Sequence, residues 1–292
     1  MIMQRHYSIE EWIRYIILGI LLFLTLFPFI FMVICSFKSN PQFYRNFWLP
    51  AFPLHFSNYA EAGVILGRFL LNSVLVSASS LIITIVLAIL ASYAFAREEF
   101  PGRRLLFGSV VSLLLVPAVV TLVPTFIVVK NFPYFWAAEA HTRGLLNTYW
   151  AMILPYASGG LALTVFVLTN FFRGIPSEFF ESARIDGAGD RSVIAHILLP
   201  LSRPILGTVA IIHLLGTWNN FIWPLVSITD PDRSVVTTGL LLFVSQVNTF
   251  NSNIRYGPMF AGYTVAALPL LVLFFLFTRA FMRGMTSGAL KM

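Results

Sequence analysis

Tyr15–Phe37 reads YIILGILLFLTLFPFIFMVICSF, 23 consecutive residues without a charge. A helix rises 1.5 Å per residue, so roughly 20 apolar residues cross the ~30 Å hydrocarbon layer of a bilayer, and this stretch is longer than that. Five further runs carry no Asp, Glu, Lys or Arg: Phe69–Ala96, Leu105–Val129, Gly144–Phe172, Pro204–Thr229 and Tyr256–Thr278. None of them alternates apolar and polar residues with the period of two that a lipid-facing barrel strand needs. Only helices and closed barrels satisfy every backbone donor and acceptor inside lipid. The expectation is therefore an all-α, polytopic membrane protein with six transmembrane helices.

Composition agrees with the runs. Of 292 residues, 58% are hydrophobic and 11% charged, against about 25% charged in an ordinary soluble domain. The mean hydropathy is +0.82, which excludes a water-soluble core protein. Six spans put both termini on one side, and the segments on that side hold 12 Lys and Arg against 7 on the other. Positive charge collects on the cytoplasmic side of short loops, so both termini are expected in the cytoplasm. The net charge of +7 and pI near 9.8 do not indicate nucleic acid, because the basic residues flank the spans instead of forming one stripe. Arg5, Glu10, Glu11 and Arg14 precede the first span, no small-residue cleavage pattern follows it, and it is too long for a signal-peptide core, so it is expected to be retained.

The spans lack the chemistry of ion-coupled carriers, which keep a charged residue at mid-membrane. His213 is the one ionisable candidate in them, and a lone His on an apolar helix is read first as a hydrogen-bonded packing residue. There is no Gly-Lys dipeptide, hence no GxxxxGK[ST] phosphate loop; the chain has no ATPase motif of its own, and active transport would draw its energy from a partner. GxSxG and HExxH are absent too, so no enzyme activity is expected. Cys35 is the only cysteine, which excludes an internal disulfide and a cysteine metal cluster. No cofactor and no metal are expected in this chain.

One connection is unusually organised. Arg173–Arg203 reads RGIPSEFFESARIDGAGDRSVIAHILLPLSR. Pro176 suits a helix start, Glu178 and Glu181 fall near a first turn where the helix dipole favours negative charge, and the helix is expected to end at Gly187–Gly189. Phe179, Phe180 and Ala183 can line one apolar side, while Glu178, Glu181 and Arg184 offer polar atoms. A second helix is expected over Asp190–Leu199, stopping at Pro200. Physical reasoning leaves two roles for the first helix: lying on the lipid surface, or filling a groove in a partner.

The string Glu181, Ser182, Ala183, then Asp186, Gly187, Ala188, then Ile197, Leu199, Pro200 and Pro204 resembles the EAA loop of ABC importer permeases, EAAxxDGAxxxxxxxxIxLPxxxP. Four further strings look like the MalG branch of carbohydrate permeases: REEFPG at 97–102, LLNTYWAMILP at 145–155, WNNFIWP at 218–224 and GMTSGALK at 284–291. The resemblance runs from about Phe69 to Lys291 and implies a type I ABC importer permease fold. It divides the chain into an N-terminal segment, first helix and outer loop over 1–68, a permease core over 69–281 with its coupling loop at about 173–203, and a cytoplasmic tail over 282–292.

By that resemblance, Glu181, Ser182, Ala183, Asp186, Gly187 and Ala188 form the coupling helix that docks on an ATPase, with Glu181 as acidic anchor and Gly187 as the bend. Ser182 stands where the family has Ala and is small enough for the same surface. Gly284, Thr286, Gly288 and Lys291 belong to a tail that reaches the ATPase, with terminal disorder as the other possibility. The implied partners are a second homologous permease, two ATPase subunits holding ATP and Mg, an extracytoplasmic solute-binding protein, a sugar or oligosaccharide, and lipid of the bacterial inner membrane.

On the outer side, Trp218, Asn219 and Asn220, followed by Trp223, suit sugar rings and hydroxyls equally with helix packing. Gln246, Asn248, Asn251 and Asn253 lie in an outer loop, Asp230–Arg255, that matches in position the family's loop toward the binding protein; a flexible polar loop is the alternative. The stretch KNFPYFWAAEAHTR at 130–143 exceeds the family's usual connection, and its Phe132, Tyr134, Phe135 and Trp136 suit a membrane interface. The outer connections carry 7 basic residues and the 4 acids Glu61, Glu139, Asp230 and Asp232, a balance of +3 that would favour an acidic oligosaccharide weakly. The competing readings are a permease for another small solute such as a peptide or polyamine, an ATP-independent carrier or channel, and a membrane scaffold.

Overall fold

The computed structural model describes residues 9–132, 144–249 and 254–289. Among them every regular element is a helix. α1 (Ile9–Ser36) starts on Glu10 and Glu11, whose charges complement the positive end of the helix dipole. It is followed by the short α2 (Asn40–Arg45), by α3 (Ser57–Arg97), the longest helix at 41 residues, and by α4 (Arg103–Ser112) and α5 (Ala118–Lys130). α6 (Trp150–Arg173), α7 (Glu178–Ile185) and α8 (Asp190–Val193) come next. α9 (Leu199–Trp218), α10 (Ile222–Ser227), α11 (Val236–Thr249) and α12 (Tyr256–Ala289) complete the order. By length and apolarity α1, α3, α6, the run from α8 through α9, and α12 each suffice to cross a bilayer, and the α4–α5 pair makes the sixth expected span.

Three sequence expectations are corrected in detail. The third span is not one straight helix: α4, ending in a tight turn at Leu115, and α5 meet at 106°. Pro117 is the cause, because a residue before proline is driven out of the helical region, and Val116 is extended with ψ 117°. Pro200 does not stop the helix that begins at Asp190. Ile194–Leu198 widens to a π turn, with the Leu199 N–H bonded to the Ile194 carbonyl, and the chain continues without a break into α9. A proline ring collides with the carbonyl four residues earlier in a regular helix, and the π turn relieves that collision locally. The outer loop Asp230–Arg255 is mainly α11, which buries Val236, Phe243 and Val247.

The chain packs as two compact units. The first joins residues up to Gly67 with Leu240–Ala267. It is an aromatic assembly: Phe43 stacks on Tyr256 at 4.2 Å between centroids, and Phe31 meets Phe260 edge-on. Asn58 Nδ2 donates to the Ser36 and Lys38 carbonyls at 2.8 and 3.0 Å, and Arg255 forks onto Glu61 at 2.7 and 2.8 Å. Lys38 is fully buried and donates to the carbonyls of Asn46 and Phe47 just beyond α2. None of the most apolar window of α1 is buried, which leaves a long face for lipid or a neighbouring chain.

The second unit joins Arg68–Gly239 with residues from Leu268 onward and has two apolar clusters. One gathers Val76, Met152, Trp223 and Ile228; the other gathers Ala88, Val165, Leu168, Phe172, Phe180, Val193, Leu198 and Val209. Between them His213 is buried, with its Nε2 at 3.0 Å from Ser80 Oγ, as expected of a packing residue. Gly160 makes room for it: a Cβ there would stand 2.4 Å from His213 Nδ1. Gly160→Ala should therefore lower the melting temperature of the detergent-solubilised protein, within the ~1–3 kcal/mol typical of overpacking. Combined with His213→Ala, it should cost clearly less than the sum of the two single variants, because the clash is then gone; an unchanged melting temperature in Gly160→Ala would contradict this packing.

Candidate functional site

The stretch from Gly174 to Asp190 folds back on its own unit. Glu178 and Glu181 occupy the first turn of α7, as the charge pattern predicts. The helix ends as expected, for a conformational reason. Gly187 has φ +80°, a left-handed conformation that costs any L side chain strain, and nothing lies within 4 Å of where a Cβ would go, so the need for glycine is purely one of backbone angle. The Gly187 N–H reaches the Arg184 carbonyl at 3.1 Å and the Ala188 N–H reaches the Ala183 carbonyl at 2.9 Å. Those two bonds form a Schellman cap, with Ala183 and Ala188 in the apolar cluster at its foot.

α7 has two faces. Phe180 and Ala183 turn inward and are buried in the cluster with Phe172, Ile175 and Val193. Phe179 lies about 100° around the helix from Phe180 and about 40° from Ala183, at the rim of the buried side; it is 50% exposed, and Ile185 is 86% exposed. Glu178, Glu181, Ser182 and Asp186 are exposed as well. Of the six expected coupling residues, Ala183 thus anchors the helix, Gly187 and Ala188 cap it, and Glu181, Ser182 and Asp186 are exposed on its surface, Ser182 Oγ donating to the Phe179 carbonyl at 3.3 Å. The outer face presents two apolar side chains among three carboxylates.

Side chains at the end of α3 hold this helix in place. The Arg97 guanidinium lies 4.0 Å above the Phe180 ring and donates through Nη2 to the carbonyls of Phe172 and Ile175, just where α6 runs out of backbone donors. Its Nε is buried and has no acceptor. Tyr93 Oη donates to Asp190 Oδ1 at 2.9 Å, which ties down the far side of the loop. Arg184 meets Glu98 at 3.3 Å with both side chains about half exposed, a pair of the kind that contributes ~0–1 kcal/mol. Sequence reasoning missed this arrangement, reading Arg97 as a topological charge and part of a family string. The available signal was an Arg at the very end of one apolar run, with the carbonyls at the end of another helix in need of further donors.

The outer candidates separate differently. Trp218 is buried, and Asn220 is structural: its Oδ1 accepts the Trp223 N–H at 3.1 Å and its carbonyl accepts from Thr237 Oγ1 at 2.9 Å. Trp223 is buried and donates from Nε1 to the Ala151 carbonyl at 2.9 Å. Asn219 alone of the three expected substrate residues is exposed, although its Nδ2 already donates to the Leu215 carbonyl. Asn147, with φ +60°, is a hub that sequence reasoning did not single out; its Oδ1 accepts the N–H groups of Thr229 and Asp230, and Arg233 donates to its carbonyl. Asn72 similarly bridges the Asp232 and Ser234 carbonyls while accepting from Tyr149 Oη.

Gln246 is exposed on α11, and Asn248 Oδ1 accepts the Arg255 N–H at 3.0 Å. Asn251 and Asn253 lie outside the described residues, as do Tyr134, Phe135, Trp136, Glu139, Arg143 and Lys291. Phe132 is exposed, and Gly284, Thr286 and Gly288 fall in the last turns of α12. Among the described residues no group of three or more His, Cys, Asp or Glu is placed to hold a metal ion.

Residues 62–287 match the family described as binding-protein-dependent transport system inner membrane component. The chain is 36% identical over 272 residues to the diacetylchitobiose uptake system permease protein NgcG of Streptomyces coelicolor, covering 92% of this chain and 85% of the relative. It is 35% identical to the alpha-glucoside transport system permease protein AglG of Rhizobium meliloti, over 85% of this chain and 63% of the relative. Among solved structures, a chain of a bacterial ABC transporter involved in the import of the acidic polysaccharide alginate superposes with a TM-score of 0.78 at 20% identity, covering 95% of this chain and 100% of that one. At that identity the likeness shows a shared fold.

The cap at Gly187 is open to test without any assay of function. Gly187→Val forces a β-branched residue into a left-handed conformation at a cost of about 1–2 kcal/mol. Amide hydrogen exchange over 178–186 should accelerate roughly tenfold, since ~1.4 kcal/mol is tenfold in an opening equilibrium, while α6 is unaffected. Unchanged exchange would show that the left-handed cap does not hold α7.

Proposed function

The chain belongs to the binding-protein-dependent transport system inner membrane component family, and from that premise we propose that it is the permease subunit of an ATP-driven importer of sugars or oligosaccharides. It sits in the bacterial cytoplasmic membrane with both termini in the cytoplasm, the orientation that places α7 on the cytoplasmic side. A second, homologous permease completes the pathway. Two ATPase subunits bind beneath the pair and hold ATP and Mg, and an extracytoplasmic binding protein delivers the sugar.

The observation that carries this reading is the two-faced geometry of α7. A helix whose inner face is locked into the core, while its outer face offers Phe179 and Ile185 among Glu178, Glu181 and Asp186, is built to fit an apolar cleft with a basic rim. α7 is then the coupling helix. ATP-driven closure of the two ATPases pulls the coupling helices together and turns the central cavity outward to accept sugar; reopening turns it inward. Each ligand shifts the equilibrium by its differential affinity for the two states, so the ATPases and the sugar-loaded binding protein act on one conformational change. Gly284, Thr286 and Gly288, in the last turns of α12, belong with Lys291 to residues 282–292, read as the cytoplasmic tail that contacts the ATPases beyond the 69–281 core.

The sugar assignment rests on relatives named for an N-acetylated disaccharide and an alpha-glucoside. Within this chain, Asn219 is the one member of the Trp218, Asn219 and Asn220 group free to face a substrate, the other two being committed to packing and to the start of α10. Gln246, Asn248, Asn251 and Asn253 are the proposed contact toward the binding protein.

The test is ATPase activity of the complex co-purified with its partners in lipid, across a panel of neutral and acidic oligosaccharides presented with binding protein. Stimulation by one sugar class, lost together with ATPase binding in Glu181→Lys, is the expected outcome. Stimulation by peptides or polyamines alone would replace the sugar reading and keep the importer. If no ATPase co-purifies and Glu181→Lys changes nothing, the coupling role of α7 is wrong.

A further inference from the structure

We propose that Arg97 is the positioning residue through which motion of α7 reaches the membrane-spanning helices, an inference that rests on the coupling role assigned to α7 above. Arg97 is the last residue of α3, its Nη2 grips the Phe172 and Ile175 carbonyls at the end of α6, and its planar face covers Phe180 on the inner side of α7. One side chain therefore touches all three elements that must move together. A displacement of α7 cannot leave Phe180 without uncovering a partly desolvated guanidinium, and it cannot carry the guanidinium along without drawing on α3 and α6.

Chemistry selects arginine for this position. Its flat, weakly hydrated cation can stack on a ring and donate in the ring plane at the same time, whereas a lysine ammonium is a strongly hydrated point charge that cannot stack. Glu98 is adjacent in sequence, but it pairs with Arg184, so Arg97 is held by carbonyls and a ring. Carbonyl and ring contacts are softer than a buried ion pair, and the buried Nε–H still lacks an acceptor. The stack on Phe180 and the two carbonyl bonds tie Arg97 to both neighbours, so a displacement of α7 is felt at the ends of α3 and α6. The Glu98–Arg184 pair joins the residue just past α3 to α7 without touching α6, and it is half exposed and screened by solvent, which suits it poorly to the same task.

The experiment reconstitutes the full complex in liposomes and reads sugar taken up per ATP hydrolysed, a ratio that a merely unstable protein does not change. Arg97→Gln should keep the ATPase bound and hydrolysing while the ratio falls at least tenfold. Arg97→Lys should restore little of it. Phe180→Leu keeps an apolar core residue but removes the ring; it should lower the ratio at least threefold, and combining it with Arg97→Gln should add nothing further, since both act on one contact. Glu98→Gln should stay within twofold of the unmodified protein.

An unchanged ratio in Arg97→Gln, or an equal fall in Glu98→Gln, would overturn the proposal. If Arg97→Gln does not assemble, Phe180→Leu decides alone: an unchanged ratio there also overturns it. Glu181→Lys in the same liposomes separates the two levels of inference. If it abolishes ATPase binding while Arg97→Gln couples normally, the relay fails and the coupling helix stands; if it has no effect, the coupling helix itself is wrong.

Discussion

An eight-residue helix flanked by Gly174 and Gly187 has too few internal hydrogen bonds to persist in water, so everything α7 displays depends on the burial of Phe180 and Ala183 against its own unit. Isolated helices of fewer than about 12–15 residues are marginal even with favourable sequences. The Arg97 stack on Phe180, the Tyr93 bond to Asp190 and the Schellman cap at Gly187 supply from outside the helix what it lacks inside. With its inner face fixed, the outer face is held in one orientation, and docking it need not include the entropy of folding a loop.

The same constraint explains where polar chemistry sits elsewhere. Hydrocarbon leaves no water to satisfy a stray donor, and several buried polar side chains of the second unit pair locally or across helices: His213 with Ser80, Ser92 with the Val165 carbonyl, Thr84 with the Ala157 carbonyl. At the opposite end from α7, Asn72 and Asn147 tie the loops leading into α6 and α11 by accepting and donating to backbone groups.

Much of this was legible in the sequence because charge-free runs and glycines report on constraints that are local. Six runs without charge correspond to the six expected spans, and Glu178, Glu181 and Gly187 mark the start and end of α7 by dipole and backbone angle. What the sequence did not disclose depends on distance. Pro117 and Pro200 look alike as helix breakers, yet one bends a span through 106° and the other is absorbed by a π turn, because the second can widen the helix while its neighbours keep packing. Phe179 and Phe180 look equally apolar, yet only one is buried. Arg97, a flanking charge in the sequence, is a three-element contact only once the ends of α3, α6 and α7 are brought together. By type Asn220 read as a sugar ligand and Asn248 as a binding-protein contact, but the side-chain oxygens of both accept backbone N–H groups, a commitment invisible without coordinates.

The central claim is that the outward face of α7 is a cytoplasmic surface covered by the ATPase, and Ile185, 86% exposed at its crest, is the place to test it. A single thiol is placed there with Ile185→Cys in a Cys35→Ser background, and its reaction with a membrane-impermeant maleimide is measured in sealed right-side-out and inside-out vesicles, with and without bound ATPase. The account predicts labelling in inside-out vesicles alone, suppressed by the ATPase. Labelling from the outside, or labelling from the inside that the ATPase leaves unchanged, would contradict it.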